Sequence, residues 1–90
     1  MATLIQRYKI ALDTAEEKAQ RHRGSQGESI LTTPEVTIGV NAKGEVTVIL
    51  ATAQRALYEA LVIECAKRAP SRLAAQAPKS SQAGEITYSL

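Results

Sequence analysis

His22 and Cys65 are the only histidine and the only cysteine in the 90-residue chain, and each is a side chain able to move a proton or attack an electrophile. His22 stands between Arg21 and Arg23. Cations on both sides disfavour the imidazolium, so a proton-transfer role competes with the plainer one of a solvated residue at a helix end. Cys65 lies among Leu61, Ile63 and Ala66. A thiol buried in such company stays protonated and packs as a small hydrophobe, which makes it inert as a nucleophile. Glu16 and Glu17 offer two carboxylates for acid–base work. Neighbours on a helix point about 100° apart, however, so these two cannot share one substrate and read as a solvated face.

One histidine and one cysteine cannot give zinc four protein ligands, and a single cysteine forms no disulfide within the chain. Gly24 and Gly27 lack the Lys and Ser or Thr that complete a phosphate-binding loop, and neither Ser25 nor Ser29 sits in a nucleophile elbow. The chain is therefore expected not to be an enzyme and to hold no cofactor or metal. What remains is charge. Lys18, Arg21 and Arg23 gather at one expected helix end and Lys67, Arg68 and Arg72 at another, a set that could meet nucleic acid or an acidic partner. Basic residues near helix C-termini also follow from the helix dipole alone, and the overall net charge is only +2.

The elements that position these residues follow from periodicity. Ile5, Tyr8, Leu12, Ala15 and Ala19 recur in steps of three and four, which predicts a helix over residues 3–23 with Thr3 and Gln6 as a capping box and Gly24 as its C-cap. Glu17 and Arg21 form a favourable i,i+4 pair on it. Residues 29–33 are β-prone but run into Pro34, giving at most an edge strand or an extended arm. Val36, Ile38 and Val40 alternate with polar or small residues, as do Val46, Val48 and Leu50, and Asn41-Ala42-Lys43-Gly44 lies between them. This is a β-hairpin with one apolar face. Residues 52–68 read as a second helix, with Thr52 as N-cap and Pro70 as the stop.

That second helix is apolar around most of its circumference. With one hairpin and one short helix available to cover it, burial is expected against a second copy of the chain through Leu57, Tyr58, Leu61, Val62 and Cys65. Residues 70–90, rich in Ala, Ser, Gln and Pro, read as a flexible C-terminal tail, although Glu85 to Leu90 regain β-propensity and could join a sheet edge or dock on a partner.

The expected fold class is thus α+β: a small single domain, helix–β-hairpin–helix (α-β-β-α), over residues 1–69, with a flexible tail over 70–90. A thin core without Phe or Trp favours association, and homodimer formation is the expected remedy. The lone cysteine and the absence of a signal-like start predict a soluble cytoplasmic protein, and no apolar run approaches the ~20 residues needed to span a membrane. The expected function is a non-catalytic protein–protein interaction module: a regulator, inhibitor or assembly adaptor acting on a larger protein, of the kind many phages and mobile elements encode. The alternative is a nucleic-acid-binding regulator using the basic helix ends.

Overall fold

Reciprocal hydrogen bonds open the first helix: Gln6 N donates to Thr3 Oγ1 at 3.2 Å, and Thr3 N donates to Gln6 Oε1 at 2.8 Å. The computed structural model describes residues 3–21 and 27–90. Helix α1 spans Leu4–Arg21 and buries Tyr8, Leu12, Ala15 and Ala19 of the expected stripe, together with Ala11. The expected Gly24 cap, like His22 and Arg23, lies outside the described residues.

Five antiparallel strands follow: β1 (Glu28–Thr32), β2 (Val36–Val40), β3 (Val46–Leu50), β4 (Leu73–Gln76) and β5 (Gly84–Tyr88), with helix α2 (Arg55–Arg68) between β3 and β4. Their order across the sheet is β1-β2-β3-β5-β4. The β2–β3 hairpin forms as the alternation predicts, pairing Val36 with Leu50 and Val40 with Val46, and all six of its apolar residues are buried. Asn41 Oδ1 accepts from the backbone N–H groups of Lys43 and Glu45, both at 3.0 Å, and Gly44 takes φ 78° to close the turn. β1 is the edge strand that Pro34 suggested. Thr33 N donates to Val36 O at 2.8 Å, and the Thr33 hydroxyl accepts from Val36 N, so the chain reverses around Pro34.

The fold is α+β, but its element order is α-β-β-β-α-β-β rather than α-β-β-α. The largest departure is at residues 70–90, expected as a flexible tail, which form β4 and β5. Ile86 and Tyr88 alternate inward while Glu85 and Thr87 face outward, and β5 enters the interior of the sheet, pairing Val48 with Ile86 on one side and Ala75 with Ile86 on the other. A tight turn joins the two strands, with Lys79 and Gln82 exchanging backbone hydrogen bonds. Pro78 packs so closely on Gly84 that a Cβ there would meet Pro78 Cδ at 2.7 Å. Composition concealed this pairing because Leu73-Ala74-Ala75-Gln76 has no β-branched residue, and it is a strand through its partner rather than its propensity.

α2 also begins later than expected, at Arg55, with Gln54 rather than Thr52 at the cap and no side-chain cap bond. Both helices cover one face of the sheet, α1 over β1 to β3 and α2 over β4 and β5, and the buried residues form a single cluster.

Candidate functional site

Cys65, Tyr88, Arg68 and Glu16 lie close together where the two helices pass over the sheet. Cys65 is fully buried, and burial pushes its thiol up to about 12, with Arg68 opposing the shift and Glu16 and Glu64 adding to it. Tyr88, also fully buried, has a phenol raised by burial and by the nearby Glu16, and its hydroxyl has no hydrogen-bond partner. Arg68 reaches from α2 to α1, where its Nη1 donates to Asp13 Oδ1 at 2.5 Å and to Glu16 Oε2. Burial alone would lower the Arg68 pKa, but the Asp13 hydrogen bond and the charges of Glu16 and Asp13 outweigh it and hold the guanidinium above its ordinary value. Lys9 Nζ adds a second link between the helices, 3.2 Å from Glu64 Oε2, an ion pair outside hydrogen-bond geometry. These groups fasten α2 to α1. A neutral thiol and a neutral phenol sealed from solvent cannot reach a substrate.

The expected self-association set divides on this structure. Leu61 and Cys65 lie in the core of one copy, while Leu57, Tyr58 and Val62 are half-buried and pack against it. The physical reason is the width of the sheet. Strands β4 and β5 supply the apolar surface that a lone hairpin lacked, so the inner face of α2 needs no second subunit. Only Ile63 remains as a large exposed apolar side chain on this helix, at 58 %.

Among the described residues, the basic side chains of the two expected clusters are engaged within the chain. Lys18 is 2.7 Å from Glu28, Arg21 is 2.9 Å from Glu17, Lys67 is 3.9 Å from Glu64, and Arg68 is held by Asp13 and Glu16. Arg72 Nη1 donates to Leu90 O at 3.4 Å. Glu16 and Glu17 diverge, the first turning to Arg68 and the second to Arg21. Among the described residues no group of three His, Cys, Asp or Glu side chains could hold a metal ion, and no helix is long and apolar enough to cross a membrane.

One accessible feature among the described residues is a groove between the outer side of α1 and the edge strand β1. It encloses about 430 Å³ over a floor that includes Tyr8, with Leu4, Arg7 and Ile10 on the helix side and Ile30 and Leu31 on the strand side. A β-bulge shapes the strand wall. Ser29 pairs with Gly39 and Leu31 with Ile38, which leaves Ile30 without a partner of its own. The extra residue breaks the usual up-down alternation, so two consecutive apolar side chains line the groove. Leu4 and Ile10 are 56 % and 61 % exposed. The inward stripe of α1 dominates its sequence pattern and hides this site. The signal was present as two large aliphatic residues, Leu4 and Ile10, standing off that stripe.

No protein family, curated protein or solved structure matches this chain.

Proposed function

We propose that this protein is a small non-catalytic interaction module, a regulator, inhibitor or assembly adaptor that acts by occupying a surface of a larger protein, and that it works as a homodimer in the reducing cytoplasm. The observation that supports the reading is the distribution of its apolar side chains. Among the described residues sixteen apolar side chains form the core of one copy, yet Leu4 and Ile10 on α1 and Ile63 on α2 stay more than half exposed. Large aliphatic side chains left in water on a scaffold that could have buried them are the ordinary mark of a contact surface. Self-association would use the outer side of α2, which presents Ile63 opposite the buried Leu61 and Cys65.

The nucleic-acid alternative draws on Lys18, Arg21, Arg23, Lys67, Arg68 and Arg72. Four of these are already engaged with carboxylates of the chain, and Arg23 lies outside the described residues. Quantitative affinity capture from the native host tests the main reading, comparing the wild-type protein with Ile10→Glu and Ile63→Glu. At least one protein captured in stoichiometric amount should be lost with one of these surface variants while the thermal melt is unchanged. Identical capture by all three proteins would contradict the proposal.

A further inference from the structure

We infer that helix α2 is a lid over the β5 side of the sheet, latched to α1 through Arg68, and that it opens as a unit while the strands stay paired. The two helices are held unequally. α1 packs on β1, β2 and β3 and buries Tyr8, Leu12 and three alanines, whereas α2 packs on β4 and β5 and buries only Leu61 and Cys65. The bed beneath α2 is thin as well. β4 is an edge strand in which Ala74, Ala75 and Gln76 are exposed. Anchoring grows with the apolar area removed from water, so α2 is the more weakly seated helix and the element that opens at least cost.

Its own start adds little. Gln54 stands at the cap without a side-chain hydrogen bond, and Arg55 puts a cation in the first turn, at the positive end of the helix dipole. What fastens α2 is its seam with α1. Arg68 Nη1 donates to Asp13 and Glu16, with Arg68 and Glu16 largely shielded from solvent, and Lys9 stands 3.2 Å from Glu64. Closing the seam also carries a cost. Tyr88 Oη and Glu64 Oε2 are buried without a hydrogen-bond partner, and lifting the lid returns both to water. Residues 51–54 and 69–72 tie α2 to β3 and β4. At roughly 3.3–3.6 Å per extended residue these links let the helix rise by the depth of a side chain. β5 keeps its backbone pairing with β3 and β4 throughout. Opening therefore turns an apolar surface of Leu61, Cys65, Ile86 and Tyr88 outward on a molecule that is otherwise folded.

The test follows alkylation of Cys65, the only thiol in the chain, by N-ethylmaleimide in the folded full chain at fixed pH, with the urea-unfolded chain giving the unprotected rate. A urea titration of the same protein gives the global unfolding constant. The opening constant from wild-type labelling should exceed the global one by about tenfold or more. Arg68→Met should speed labelling about tenfold further, and Glu16→Gln should act in the same direction. Ile38→Val, in the strand that α1 covers, should lower global stability yet leave Cys65 labelling within about twofold of wild type. Amides of Leu61–Cys65 should exchange through the same opening, while Ile86 stays as protected as Val48. A wild-type opening constant equal to the global one would overturn the lid. So would labelling that Ile38→Val accelerates in step with its loss of global stability, or labelling that neither Arg68→Met nor Glu16→Gln accelerates.

Discussion

Leu61 separates two accounts of helix α2. If its side chain served a subunit interface, truncating it would shift the monomer–dimer balance and little else. The structure instead encloses it completely beside Cys65, over the sheet. Leu61→Ala should therefore create a cavity in one copy, at a cost of about 2–5 kcal/mol. The paired strands beneath limit collapse, so about 3–4 kcal/mol is the expected loss, from a total on the order of 5–15 kcal/mol for a domain. At roughly 4–8 °C per kcal/mol for a chain of this length, the melting temperature should fall by roughly 12–32 °C. Circular dichroism melts at two protein concentrations a hundredfold apart provide the assay. The loss for Leu61→Ala should be the same at both concentrations. Ile63→Ala, at an exposed position, should change monomer stability by no more than about 0.5 kcal/mol. A Leu61→Ala protein that melts like wild type, or whose loss vanishes at the higher concentration, would refute the placement of Leu61 in the core.

Ile86→Ala should cost about 2–5 kcal/mol in a urea titration, because β5 lies between β3 and β4; a midpoint equal to wild type would mean that residues 70–90 contribute nothing to the fold. Replacing Arg68 by Met should cost about 1–3 kcal/mol by leaving the half-buried Glu16 without its partner, read as a lower urea midpoint at pH 7. The Cys65 thiol, raised from its ordinary 9.0 to about 12, keeps its proton in the folded state after the unfolded chain has lost it. Its stabilising effect is thus complete below pH 9 and is lost as pH rises toward 12, by at most about 1.4 kcal/mol per pH unit. Cys65→Ala should flatten that part of the stability–pH curve relative to wild type, and superimposable slopes would contradict the buried placement.

Much of the fold was legible because local pattern and tertiary environment agreed. The Thr3–Gln6 capping box, the inward stripe of α1 and the Asn41–Gly44 turn each express short-range chemistry that the structure keeps. The Glu17–Arg21 pair forms for the same reason. What was hidden depends on partners distant in sequence. Leu73–Gln76 becomes a strand only because Gly84–Tyr88 lies beside it, and Gly84–Tyr88 reaches the interior only because β3 offers its second edge. Without those two strands α2 has too little sheet to cover it, and its apolar surface reads as a surplus that a second copy would have to bury. The basic residues are legible only in part for a related reason: Arg21 and Lys67 pair within their own helices, while the carboxylate partners of Arg68 and Lys18 come from other elements, Asp13 and Glu16 for the first and Glu28 for the second. The groove is legible only in Leu4 and Ile10, since its other wall needs the β1 bulge and the edge position of that strand.

One copy completes its own core with residues 70–90 inside it. Residue-resolved amide hydrogen exchange on Glu85–Tyr88 tests this most directly. These amides should exchange only through global unfolding, as slowly as those of Ile38 and Val48 in β2 and β3. Exchange of Glu85–Tyr88 at the rate of an unfolded chain, while Ile38 and Val48 stay protected, would contradict it.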